Sequence, residues 1–466
     1  MKVCFVGGGA LRLFGIIRGA MADSGVLDDG EVFLYDLNVP RAEAMGKMLL
    51  KTPEQSRANC RIRWGDSLDE ALEGADMVGI ILPASPQKSY MLGHHESFDR
   101  GFISSDNVSP NGAVSAVKIA PVVMNIARRM EVLCPEAWLI NFVNPIAVLS
   151  AMVNNHTNIR CLGVCAGFTN HLWDIPRIFG QDAEAKDLEV HCAGVNHLSY
   201  VVEGEWQGQP IFEALEQHTG DDWQMCELQP WWNEFARSNI TNSVNTLVRL
   251  WRKYGVLVFS SEGDGLAHLM YDEALVKYRK ENPNRTVAEV EAAIESGWQA
   301  RAKLDSDFNQ WVDRDLDTNF WENYWKENHT FRRADQDIFV RIMAAVAGVR
   351  EMRLATSRPN EGAIAGIHHD HVVEYTQYLY EDSIRSASVF AYDIPPVVHG
   401  LSAALAAHQT LLGNALASED PVLLSRALLT YPVRPFSSDL GDLYRTLFHL
   451  AGDEIAACYQ PAIHHF

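Results

Sequence analysis

The sequence predicts an α/β fold: a doubly wound parallel sheet first, then a mixed, mostly helical C-terminal part. Three observations carry this. Short apolar runs alternate with helical spacings through the first third of the chain. Those runs are almost continuously apolar, as strands covered on both faces are. Beyond about residue 230 the spacing is mainly helical. In order, "KVCFVGGG" reads as a strand ending in glycines and "LRLFGIIRGAMADSG" as a helix. "GEVFLYDLN" is a second strand ending at Asp36, and "VPRAEAMGKMLLKTPE" a second helix. "CRIRWGD", "SLDEALEGA" and "DMVGIILPAS" repeat the alternation. "AVKIAPVVMNIARRMEVLCPE" is an amphipathic helix leading into the strand "AWLINFVNP". Further on, "EVHCAGVNHLSYVV" reads as one buried strand with "EGEWQGQ" as the hairpin after it. "MRLATSRPNEGAIAGIHHDHVVEYTQYLY" is extended structure among helices.

The 466 residues suggest two or three domains. We expect the division at residues 1–165 and 166–466. A net charge of −21 argues against nucleic acid or an anionic membrane as the main partner. It leaves open an anionic small molecule in a local pocket. The eight cysteines are expected to be reduced, because the chain is enzyme-sized and "MKVCFVGGG" lacks the features of a secretory signal. No run approaches the about 20 apolar residues a membrane span needs. These features predict a cytoplasmic protein.

The first strand and turn carry a dinucleotide signature. Gly7, Gly8 and Gly9 would let the backbone approach a pyrophosphate at a helix N-terminus. Arg12 stands where a third glycine would complete the usual pattern. Asp36, ending the second strand, is placed to accept hydrogen bonds from ribose hydroxyls, and a carboxylate there favours NAD over its 2′-phosphorylated form. This makes the first half Rossmann-like. "IILPAS", with Pro83, and "INFVNPIA", with Asn144, would both open at the carboxyl edge of the sheet, where ligands bind. The Asn144-Pro145 strand end is similar to the one lining the nicotinamide pocket in lactate and malate dehydrogenases. Asn144 could hold a substrate hydroxyl, or the pair could simply be a turn.

Cys165 ends the run "RCLGVC", and His197 follows Asn196 in "CAGVNHL". One Cys and one His do not make a metal site by spacing. The ordered set does more. The glycine turn, Asp36, "ADMVGIILP", "AWLINFVNPIAVL", "IRCLGVC" and "CAGVNHLSYVV" together resemble glycoside hydrolase family 4, the glycosidases that require NAD and a divalent metal. "CAGVNHLSYVVEGE" is particularly similar to the α-galactosidase branch; the α-glucosidase and α-galacturonidase branches are also near.

The resemblance implies Cys165 and His197 as manganese ligands, with Asn144 and Asn196 facing the sugar. It implies Asn360, with Gly362, shaping the pocket. It implies a base or substrate contact within "SSEGDGLAHL", where Glu262, Asp264 and His268 are the candidates. The implied chemistry oxidises sugar C3 with NAD, removes the C2 proton with metal assistance, eliminates the C1 oxygen, adds water and returns the hydride. It departs from the two-carboxylate scheme of most glycosidases. The substrate would be a small glycoside, and the assembly a homodimer or homotetramer.

Three departures bear on substrate. The family's glycine-rich loop with two following arginines is here "DNVSPNGAVSAVKIAP", with Ser115 and Lys118 in the arginine positions. A phosphate or uronate bound through that cation is disfavoured. Ala166, after the metal cysteine, cannot donate a proton, so either His171 or a metal-bound water serves as acid or the leaving group needs no strong assistance. A Leu-Pro turn is replaced by Ile367-His368 within "HHDH", where His368, His369 and His371 either form a polar loop or add a ligand. Trp223, Trp231 and Trp232 are candidates for a sugar platform or for core. The acidic, aromatic stretch Asp305–Asn328 reads as a helical surface facing a neighbour. Two rival functions stay open: an NAD-dependent dehydrogenase or lyase on a sugar or hydroxy acid, and a non-catalytic sensor.

Overall fold

A computed structural model of the chain describes all residues except 83–86, 186, 260–266, 283–284, 318, 321–336 and 436–437; at 87, 168, 169, 235, 301, 304, 305 and 307 only the backbone is described. The first half alternates as expected. Strands β1 (Lys2–Val6), β2 (Glu31–Tyr35), β3 (Arg61–Gly65), β4 (Met77–Ile80), β5 (Trp138–Asn141) and β6 (Arg160–Gly163) run parallel, in the order β3-β2-β1-β4-β5-β6. This is the order of the Rossmann-like doubly wound fold. The central strands β4 and β5 are buried at every residue, which is why their sequences show no polar alternation.

The helices between them are α1 (Arg12–Ala22), α2 (Val39–Leu50), α3 (Pro53–Ala58), α4 (Leu68–Leu72), α5 (Gln87–Asp99), α6 (Pro110–Leu133) and α7 (Ile146–His156); α8 (Gly167–Ile178) follows β6. Side-chain caps start several of them: Asn38 accepts from the Arg41 N–H, Thr52 from Gln55, Ser67 from Glu70 and Ser109 from Gly112. Each such cap satisfies an amide that the helix itself leaves unpaired.

The sheet does not stop at the end of the dinucleotide half. It continues as β6-β10-β11-β7-β8-β9, with β7 (Leu188–Val195), β8 (Leu198–Trp206), β9 (Gln209–Pro210), β10 (Met352–Pro359) and β11 (Val372–Tyr380); β12 (Ser383–Ser386) pairs with β11. The join is made where Ser357 bridges Gly163 and Glu374 bridges Gly194. Helices spanning 211–218, 234–254, 271–281, 287–312, 338–346, 396–418, 421–428 and 440–451 complete the C-terminal part. Among the described residues no helix is long and apolar enough to cross a membrane.

One expectation is corrected. "EVHCAGVNHLSYVV" is not a single strand. β7 ends at Val195 and β8 begins at Leu198, paired to each other, so Asn196 and His197 form a two-residue hairpin turn. His197 takes φ +68°, in the left-handed region that few non-glycine residues adopt. The apolar residues on both sides hid the turn, because neither Asn-His nor its flanks carry the usual glycine signal. The second hairpin, at Gln207-Gly208, lies within the predicted "EGEWQGQ".

Candidate active site

The glycine turn is held by its own backbone. The N–H groups of Gly7 and Gly8 both donate to the Tyr35 carbonyl, at 2.9 and 2.8 Å. Gly7 has φ +92°, and a β-carbon on it would lie 2.1 Å from the Ile81 carbonyl oxygen, at the end of β4. A β-carbon on Gly8 would lie 2.7 Å from the backbone of Leu34. Neither position admits a side chain. Asp36 is fixed from both sides: its Oδ2 accepts from the Gly9 N–H at 2.9 Å and its Oδ1 from the Asn38 N–H at 2.8 Å. Each carboxylate oxygen keeps a further acceptor position. Arg12 is taken up by Asp337 at 2.7 Å and lies 4.5 Å from the Phe142 ring centroid. Pro83 lies outside the described residues.

The strand ends of β5 and β6 are adjacent, since Asn141 pairs with Gly163 and the Val164 N–H donates to the Asn141 carbonyl. Asn141 shapes the next bend: its Nδ2 donates to the Val143 and Ile146 carbonyls and its Oδ1 accepts from the Val143 N–H. That bend presents Asn144, whose buried Oδ1 has no hydrogen-bond partner among the described residues. A buried acceptor without a donor is destabilising by about 1–3 kcal/mol, so the site suits a ligand hydroxyl or an ordered water.

Cys165 lies between β6 and α8. Its Sγ is 3.3 Å from His197 Nε2, and it also accepts the Gly167 N–H at 3.3 Å. The two residues that stand far apart in sequence therefore meet. A divalent ion bonded at about 2.0–2.3 Å to a sulfur and an imidazole nitrogen holds them about 3–3.6 Å apart, so the pair fits a metal. His171, one turn into α8, is fully buried. A β-carbon built on Gly167 would lie 3.4 Å from Cys165 Sγ and 3.8 Å from His171 Nε2, so both groups border the start of α8. Burial, and next the neighbouring His197, lower its pKa to about 3.

Asn196 does not project freely. Its Nδ2 donates to Glu374 Oε2 at 2.7 Å, and its Oδ1 accepts from Asn107 Nδ2. Ser199 Oγ donates to the other Glu374 oxygen at 2.8 Å. Burial raises the pKa of Glu374 despite these bonds. Sequence reasoning missed Asn107, Ser199 and Glu374. Glu374 had a visible signal: a carboxylate in the apolar run "VVEYT", where a charge must have partners.

The remaining candidates sit elsewhere. Asn360 is buried, with Nδ2 donating to the Ile364 and Ile367 carbonyls and Oδ1 accepting from the Ile364 N–H. It stitches its own loop. His268 Nε2 is 3.1 Å from the Tyr431 hydroxyl. Glu262 and Asp264 lie outside the described residues. Lys118 is paired with Glu454 at 3.2 Å and donates to Ser89 Oγ at 2.9 Å, while Ser115 Oγ donates to the Asn111 carbonyl. Trp223 and Trp232 donate from their indoles to the Ile178 carbonyl and Asp182, beside the end of α8. His368, His369 and Asp370 cluster on an exposed loop, and among the described residues no hydrogen bond or ion pair joins them to Cys165 or His197.

Comparison with known proteins agrees with this geometry. The pattern of the family 4 glycosyl hydrolases matches residues 2–175, and that of the family 4 glycosyl hydrolase C-terminal domain matches residues 192–433. An alpha-galacturonidase of Thermoanaerobacter italicus is 23% identical over 480 aligned residues, covering 96% of both chains. An alpha-galactosidase of Bacillus subtilis is 25% identical over 218, covering 46% of this chain and 50% of that one. Among solved structures, a 6-phospho-alpha-glucosidase from gut microorganisms, in complex with NAD and glucose-6-phosphate, has a TM-score of 0.78 at 16% identity, covering 98% of this chain and 99% of that one. A Thermotoga maritima 6-phospho-beta glucosidase, with manganese, NAD+ and glucose-6-phosphate, has a TM-score of 0.73 at 16% identity with the same coverage. At those identities the likeness is one of fold. The two matched segments together span most of the sequence, and the chain belongs to glycosyl hydrolase family 4.

Proposed function

We propose that the protein is an NAD- and manganese-dependent glycosidase acting on a small, uncharged glycoside. The observation that carries this is the 3.3 Å approach of Cys165 Sγ to His197 Nε2, on the sheet that ends its first strand in a side-chain-free turn beside Asp36. Gly7 to Gly9 and Asp36 would hold NAD, and Cys165 and His197 the metal. When bound, NAD would accept and return a hydride at sugar C3, and the ion would stabilise negative charge on the C2 and C3 oxygens. The chain's own residues supply the rest. Asn144 offers its unpartnered Oδ1 to a sugar hydroxyl. A base from the segment 262–268 takes the C2 proton. The bond from Tyr431 to His268 Nε2 favours Glu262 or Asp264 for that role.

An uncharged sugar is supported by Lys118, whose ammonium is already neutralised by Glu454. This runs against the Thermoanaerobacter italicus relative, which aligns over 96% of both chains and is by its name an alpha-galacturonidase. A panel of α-galactosides, α-glucosides, α-galacturonides and 6-phosphoglucosides, with NAD, Mn2+ and a reductant, separates the two. Cleavage of an uncharged glycoside with no net NADH is the expected result. Cleavage confined to uronides or phosphosugars contradicts the substrate reading. A second reading is an NAD-dependent dehydrogenase or lyase, favoured by Ala166, whose side chain cannot donate a proton to a leaving group. It predicts NADH formed in step with product.

A further inference from the structure

The turn that carries His197 is tied to the neighbouring strand β11 and to the loop before α6 by a chain of buried polar groups. Glu374, on β11, faces Gly194 across the β7 pairing, where a β-carbon would collide with Ser199. Its two oxygens take one donor each, Asn196 Nδ2 at 2.7 Å and Ser199 Oγ at 2.8 Å. Asn107, Asn196, Ser199 and Glu374 are all at most 5% exposed. The chain has a direction. An ionised carboxylate can only accept, and the Asn196 amide accordingly turns its nitrogen to Glu374 and its oxygen to Asn107. Asn107 then donates to Asn196, and its own Oδ1 points away, unpartnered among the described residues.

This direction matters because the next residue is strained. A left-handed backbone is unfavourable by roughly 1–2 kcal/mol for a residue with a β-carbon, and His197 adopts it in a turn of only two residues. Fixing the Asn196 amide at both ends fixes one half of that turn.

We propose that Glu374 is a positioning residue that holds the Asn196-His197 turn, and so the imidazole facing Cys165, ready for a divalent cation. The proposal rests on reading Cys165 and His197 as the metal pair. Groups that orient metal ligands from behind typically change metal affinity by about 10–100-fold when removed. Glu374→Ala leaves the Asn196 amide without its acceptor, takes the shorter of two acceptors from Ser199 Oγ, and frees the turn. Glu374→Gln keeps an acceptor for Asn196; its new amide can donate to Ser199 Oγ, whose hydroxyl already has the Phe259 carbonyl at 3.3 Å as an alternative.

The test is Mn2+ binding to the full chain, followed by the electron paramagnetic resonance of the free ion, with NAD affinity and thermal midpoint measured alongside. Glu374→Ala is expected to bind Mn2+ about 10–100-fold more weakly with NAD affinity unchanged. Glu374→Gln is expected to restore binding to within about threefold of wild type. A folded Glu374→Ala protein that binds Mn2+ as wild type does would overturn the proposal, as would a Gln variant no better than Ala. Should Glu374→Ala not fold, Ser199→Ala and Asn107→Ala each remove one bond of the chain; wild-type affinity in both overturns it. A wild-type protein that binds no Mn2+ would instead remove the metal reading itself.

Discussion

The two ends of the candidate site are built in opposite ways. The dinucleotide end is backbone: three consecutive glycines, the first two held by the Tyr35 carbonyl and the third by the Asp36 carboxylate. The metal end is side chains gathered from distant segments: Asn107 before α6, Asn144 after β5, Cys165 after β6, His197 between β7 and β8, and Glu374 on β11. The first can be disrupted by adding atoms, the second by removing them. The two should also fail independently, because no hydrogen bond joins Asp36 or the glycines to Cys165 or His197 among the described residues.

The sharpest way to break that comparison is at the metal end. Cys165→Ser replaces the proposed sulfur ligand with a poor one. Mn2+ affinity should fall by about 100-fold or more, with activity lost and NAD binding within about twofold of wild type. Equal losses of NAD and Mn2+ affinity would mean that the two ends are one unit. At the other end, Gly8→Val forces a β-carbon toward the Leu34 backbone, which lies 2.7 Å from that position. NAD titration by fluorescence should show a loss of more than about tenfold, with Mn2+ affinity kept. Asp36→Ala is milder. It removes the proposed ribose acceptor and releases the Gly9 and Asn38 amides, and NAD affinity should fall about tenfold, as loss of a charge-assisted hydrogen bond does. The smallest effect on catalysis should come from Lys118→Met. Its cation serves Glu454, not the substrate, so the KM of an uncharged glycoside should stay within about twofold, while the thermal midpoint drops by about 2–4 °C. A large rise in KM would put Lys118 back among the substrate contacts.

The same contrast explains what could be read from the sequence. A backbone cradle is contiguous, so Gly7 to Gly9, the following helix and Asp36 were legible as a unit, as were the alternating buried strands. The metal pair was not. Cys165 and His197 alone had too few ligands and no diagnostic spacing, and only the order of several motifs brought them together. Their partners were less legible still. Asn107 lies in the loop "DNVSPNG", which drew attention for its missing arginine and not for its amide, and Ser199 in a stretch read as one strand passing straight through His197. The hairpin turn was missed for a related reason: a turn whose conformation is fixed by a distant carboxylate has no local signature. Asn360 illustrates the reverse, a side chain that looks free to meet a ligand but whose oxygen and nitrogen serve Ile364 and Ile367.

The central claim is that bond cleavage proceeds through oxidation at C3 and loss of the C2 proton, and it can be tested at one atom. The cleaved sugar, formed by the wild-type protein with NAD and Mn2+ in heavy water, should carry deuterium at C2, seen by mass and by loss of the C2 proton signal. Product that retains its C2 hydrogen throughout would contradict the elimination route and point to direct displacement at C1.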